Sequence, residues 1–101
     1  NVTAVLAGTF QHIFGGSDWA PDNHSTLLKK VNNNLYQFSG DLPEGNYQYK
    51  VALNDSWNNP SYPSNNIDLT VPTGGAHVTF SYVPSTHAVY DSINNPGADL
   101  P

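Results

Sequence analysis

The chain sets eight acidic residues against three lysines in 101 residues, with no arginine and a net charge of −5. That length supports one domain with one small core, and so few cations exclude nucleic acid and anionic lipid as partners, because both need clustered Lys and Arg. The lack of cysteine excludes disulfides and thiolate metal sites, and no apolar run reaches the ~18 residues of a membrane-spanning helix.

Along the chain, apolar and polar residues alternate between short turn-rich gaps, and no helical period is sustained. Val2–Ala7 is a first strand ending at Gly8. A polar loop follows through Gly15, Gly16, Ser17 and Asp18 to Trp19, Ala20 and Pro21, with a short helix possible between Ala20 and Leu28 on Asp22 as N-cap. Leu27, Leu28 and Val31 mark a second strand. The asparagine turn 32–34 leads into a third over Leu35–Ser39. After the turn signal Leu42-Pro43-Glu44-Gly45, the segment Asn46–Leu53 alternates cleanly, with Tyr47, Tyr49, Val51 and Leu53 on one face and Gln48, Lys50 and Ala52 on the other. A second polar loop, Asn54–Asn66, holds Trp57, Pro60, Tyr62 and Pro63. Ile67–Val71, Ala76–Val83 and Thr86–Tyr90 bring the count to about seven strands, which predicts an all-β, immunoglobulin-like sandwich over residues 1–93, with 94–101 as linker. Its core must rely on large rings, among them Phe10, Phe14, Phe38 and Phe80.

Neutral polarity replaces charge. Thirteen asparagines, with many Ser, Thr, Gln and Tyr, make a surface suited to a polyhydroxylated partner such as a sugar, or simply to an extracellular module with Asn-rich loops. Trp19 and Trp57 both lie in loops crowded with Gly, Pro, Asn and Asp, outside any alternating core pattern. There each is either a stacking platform for a sugar ring or a plug closing one end of the sandwich. Tyr62, in the loop of Trp57, is a third platform or a loop anchor. Lys50 is the one charge inside the most regular strand. By pattern alone it is an outward residue on the solvated face, and beside Trp57 it could bond a sugar hydroxyl.

Catalytic readings fare badly. Glycoside hydrolysis needs two carboxylates across a cleft. The single glutamate, Glu44, sits in an exposed turn, which leaves Asp18 and Asp55, turn acids expected to bond backbone. His12, His24, His77 and His87 lack metal-ligand spacing, and His87 in particular reads as a hydrogen-bonded structural residue in a strand. No ordered pattern of calcium ligands occurs. No cofactor and no metal are expected.

The series Gly8-Thr9-Phe10-Gln11, Asp18-Trp19-Ala20-Pro21, Leu42 to Asn54, Ser56-Trp57, Thr70-Val71-Pro72, Val78-Thr79-Phe80 and Thr86-His87-Ala88-Val89 closely resembles the X25 accessory module found beside the catalytic domain of bacterial pullulanases and amylopullulanases. The resemblance spans roughly residues 4 to 92. A looser one extends to family 20 starch-binding domains, where Asp18-Trp19, Tyr49-Lys50-Val51 and Trp57-Asn58 look like the three elements of one starch site. It implies that Trp19, Lys50 and Trp57 converge, that Asn58 adds a neutral hydrogen bond, and that either Asn65 or Asn66 stands nearby. On this reading the chain is a non-catalytic, monomeric module of a larger secreted protein. It would recognise α-1,4-glucan, meaning starch or maltooligosaccharides, with Trp19, Trp57, Lys50, Asn58 and Tyr62 as binding residues. The rival readings are a structural spacer or docking module between catalytic domains, and an adhesion domain for a protein partner.

Overall fold

The structure, a computed structural model, describes residues 3–94. Its strands are β1 (Ala4–Gly8), β2 (Leu27–Asn32), β3 (Leu35–Leu42), β4 (Gly45–Leu53), β5 (Ser56–Val71), β6 (Ala76–Val83) and β7 (Ala88–Asp91); a single helical turn, α1 (Gln11–Phe14), follows β1. All pairings are antiparallel, in the order β5-β4-β1-β2-β3-β6-β7.

Strand β2 turns this ribbon into a sandwich. Its first two residues, Leu27 and Leu28, pair with β1, whereas Lys29–Asn32 pair with β3. The sheet therefore folds across β2, and its two halves bury their inner faces against each other, which is the expected immunoglobulin-like, seven-strand architecture. Tyr49 of β4 meets Phe80 of β6 edge to face across this interior, with ring centres 5.0 Å apart. Phe10 packs on both rings at 6.0 and 5.3 Å. Phe14 and Phe38 are only half-buried at the margin of this cluster. The Tyr49 hydroxyl donates to the buried Asp91 carboxylate at 2.6 Å, joining the sheets by a charge-assisted bond. Gly8 is required where β1 pairs with β4 opposite Tyr49, because a Cβ there would collide with the Gln48 backbone carbonyl and the Tyr49 side chain.

Several predicted elements move. The short helix expected on Asp22 is a single 3₁₀ turn, His24–Thr26, capped by Asn23, whose side chain accepts from Ser25 N–H. The third strand extends to Leu42 because Gly40 and Asp41 continue the ladder with β6. Thr86 and His87 belong to the β6–β7 turn, and His87 adopts φ +61°, so the last strand starts at Ala88. The segment 54–66, expected to be a loop, lies mostly within the sixteen-residue strand β5. Its pairing explains why it looked irregular. Ser56 faces Leu53 and Ser61 faces Ala52, so residues 57–60 bulge from the ladder; Tyr62 faces Val51 and Ile67 faces Tyr49, so residues 63–66 bulge opposite Lys50. Pro60 and Pro63 fall in these bulges, where no ladder N–H is needed. Of the segment read as linker, Asn94 hydrogen-bonds Asp68 O and Asp91, and 95–101 lie outside the described residues.

Candidate functional site

The loop between β1 and β2 carries Trp19, and a buried glutamine organises it. Gln11 is wholly excluded from solvent. Its Oε1 accepts from Gly8 N–H (3.2 Å) and Ala20 N–H (2.9 Å), while its Nε2 donates to Ala20 O (2.9 Å) and Thr26 Oγ1 (3.1 Å). Thr26 Oγ1 donates in turn to Leu6 O at 2.7 Å, which anchors the loop to β1. Asn23 Nδ2 closes the other side by donating to Gly15 O and Ser17 O. Gly16 lies against this amide with φ +80°, and an added Cβ would stand 2.6 Å from Asn23 Nδ2.

One residue upstream of the indole, Asp18 accepts from His12 N–H at 2.8 Å and from His12 Nδ1 at 2.8 Å. A carboxylate can only accept, so Nδ1 carries the proton. Desolvation pushes the Asp18 carboxyl up, but the hydrogen bonds and charge of His12 outweigh it, and its pKa falls below the ordinary 3.8. Trp19 then takes φ +52°, a left-handed conformation that costs a bulky residue ~1–2 kcal/mol. Its N–H donates to Gly8 O at 3.2 Å. The surrounding bonds hold the residue where its intrinsic preference would not.

Trp57 arrives from the opposite side. Asn54 and Asp55 link β4 to β5 with φ +54° and +61°, a two-residue turn of the mirror-image type favoured by Asn and Asp. Trp57 follows in the first bulge. The two half-buried indoles stand with ring centres 6.3 Å apart and planes inclined by 47°. Together with Lys50 and Asn66 they line an open cleft of about 440 Å3. Lys50 Nζ leans on Ser64 O at 3.4 Å.

The structure thus brings Trp19, Lys50 and Trp57 together and, of the two asparagines left open, places Asn66 on the cleft. Asn58 and Tyr62 do not line it. Asn58 is exposed in the first bulge, its N–H donating to Ser56 Oγ. Tyr62 lies flat against His87, ring centres 4.1 Å apart and 7° from parallel, and His87 Nδ1 hydrogen-bonds the Tyr82 hydroxyl at 2.9 Å. Gln11 and Asn23, which hold the loop, escape a reading by pattern, since nothing in a polar residue's local sequence shows that it will be buried.

Among the described residues, no acid lines the cleft. Asp18 is taken by His12, and Asp55 by His24 Nε2 at 2.7 Å. Two inclined aromatic faces, an ammonium and a carboxamide make a surface that can stack and hydrogen-bond a neutral ligand, without an acid–base pair.

A curled antiparallel sandwich presenting such a cleft on one edge defines a small accessory-type β-domain. The chain belongs to the pullulanase X25 domain family, whose match covers residues 3–89. It is similar to the amylopullulanases of Thermoanaerobacterium saccharolyticum (42% identical) and Thermoanaerobacterium thermosulfurigenes (39%), in each case over 91% of the chain. It spans only 7% and 5% of those proteins. The solved pullulanase from Bacillus acidopullulyticus contains a stretch that superposes on all of this chain with a TM-score of 0.95 and 58% identity, 12% of that protein's length.

Proposed function

We propose that the domain is a non-catalytic carbohydrate-binding module that holds α-1,4-glucan in the open cleft lined by Trp19 and Trp57. The observation that carries this reading is the 47° inclination of two indoles 6.3 Å apart. A flat, ribbon-like β-1,4 chain can lie on one such plane but not on both, whereas a curved α-1,4 chain turns successive rings to meet both. Lys50 and Asn66 supply donors for hydroxyls at the rim, and Asn58 and Tyr62 stand outside the lining of the cleft. A shallow cleft of this kind gives single-site affinities of roughly 10 μM to 1 mM, and avidity from neighbouring modules strengthens adhesion to granules. The relatives' names, pullulanase and amylopullulanase, agree with a glucan partner, with other domains of a larger secreted protein alongside. Retention on granular starch, compared with microcrystalline cellulose, tests the reading. Binding to starch alone is expected; equal retention on both refutes the selectivity for α-glucan, and retention on neither refutes binding and leaves a spacer role.

A further inference from the structure

Beyond the tryptophan cleft, the outward face of β4 and β5 continues as a row of polar side chains. On β4, Tyr47, Tyr49 and Val51 turn to the core, so Asn46, Gln48 and Lys50 share the opposite face. On β5, Ile67, Leu69 and Val71 turn inward, and Asn66, Asp68 and Thr70 are exposed. The two rows run side by side: Gln48 pairs with Asp68 and Asn46 with Thr70. Lys50 and Asn66, the topmost members, already line the tryptophan cleft. The pairs below them line a second open groove of about 550 Å3, floored near Leu69 and bordered by Thr9.

We propose that this groove is an extension subsite in which a bound glucan continues past Lys50 along Gln48–Asp68 and Asn46–Thr70; the inference rests on the tryptophan cleft being a glucan site. Spacing supports it. From Lys50 to Asn46 the strand advances ~14 Å, two pleat repeats on one face, far enough to follow several sugar units. Chemistry supports it as well. Gln48 Nε2 donates to Asp68 Oδ1 at 2.8 Å and Thr70 Oγ1 to Asn46 Oδ1 at 3.0 Å. These bonds fix the rotamers and leave the Gln48 side-chain Oε1, the Asn46 amide hydrogens and the second Asp68 oxygen without partners among the described residues. Mixed acceptors and donors in a fixed row, with no cation and one carboxylate, suit vicinal hydroxyls rather than phosphate, peptide or lipid. Tyr47, the aromatic among the described lining residues, is half-buried with its ring packed against Phe10, so the groove acts only on a chain already seated on the indoles.

Isothermal titration of the domain with maltotriose and maltoheptaose, repeated with Asn46→Ala/Gln48→Ala, tests this. Both positions are exposed, and the maltotriose affinity of the double variant reports whether the upper cleft is intact. A longer chain gains some affinity merely from having more registers on the tryptophans, and the variant keeps that gain. The extension adds a further part, and the variant is expected to lose roughly fivefold in maltoheptaose affinity, equivalent to one net hydrogen bond, with maltotriose unchanged. Maltoheptaose binding unaltered by the double substitution overturns the extension while the cleft stands. Equal wild-type affinities for the two sugars overturn it as well. Failure of both sugars to bind overturns the glucan site itself, and the extension with it.

Discussion

His24 Nε2 lies 2.7 Å from Asp55 Oδ1, and this contact joins the Trp19 loop to the turn that leads into Trp57. Both partners are substantially exposed, so the pair adds little to global stability. Its consequence is geometric: it helps set the angle between two segments that approach from different strands.

Asp55 separates that role from the turn it occupies. Glycine accepts φ +61° without strain, so Asp55→Gly preserves the turn and removes the tie, while Asp55→Asn keeps both the turn and a hydrogen bond. Asp55→Gly is expected to weaken maltoheptaose binding about threefold to tenfold with an unchanged melting temperature, and Asp55→Asn to stay near wild type. Parallel titration calorimetry and thermal melts check the pair.

Gln11 carries more of the loop's stability. Gln11→Ala strands the Gly8 and Ala20 N–H groups, while Ala20 O keeps Asn23 N–H and the Thr26 hydroxyl keeps Leu6 O, and is expected to cost about 2–4 kcal/mol by urea unfolding. Gln11→Glu keeps the shape but turns a ring of four satisfied contacts into acceptor facing acceptor at Ala20 O, so it should be at least as damaging above neutral pH.

Asp18 gives a pH signature. Its folded pKa lies below the ordinary 3.8, so the carboxylate's contribution is present in full above that value and is lost as pH falls through the lower, folded value. Melting temperatures between neutral pH and strong acid should therefore show a component of acid destabilisation below about pH 4 that Asp18→Asn reduces.

Tyr49→Phe tests the bond between the sheets. It leaves the ring packing in place but takes a donor from a carboxylate that is 2% exposed, and is expected to destabilise by about 1.5–3 kcal/mol in urea unfolding without altering glucan affinity.

The sandwich was legible because period-two alternation survives wherever one face of a strand meets the core, as at Tyr49, Val51 and Leu53. Trp19 and Trp57 stood out for a related reason: large rings outside that alternation. The bulged strand was hidden because residues 57–60 and 63–66 are both loop-like in composition and enclosed by ladder pairs at Ser56, Ser61, Tyr62 and Ile67. Tyr62 was ambiguous because its partner, His87, is distant in sequence and sits in a strained turn that alternation cannot signal. The convergence of Trp19, Lys50 and Trp57 came from family resemblance, since spacing within the chain cannot place β1's loop beside β5. Asn66 over Asn65, the Gln11 hub and the ties His12–Asp18 and His24–Asp55 needed the fold itself.

The most direct test of the central claim is indole fluorescence during titration with maltoheptaose, with cellohexaose as control, in the wild type and in Trp57→Ala. A saturable change with the α-glucan alone, abolished by Trp57→Ala in a protein that still unfolds cooperatively, is the expected result. An unchanged spectrum with maltoheptaose, or an equal response to cellohexaose, would contradict the account.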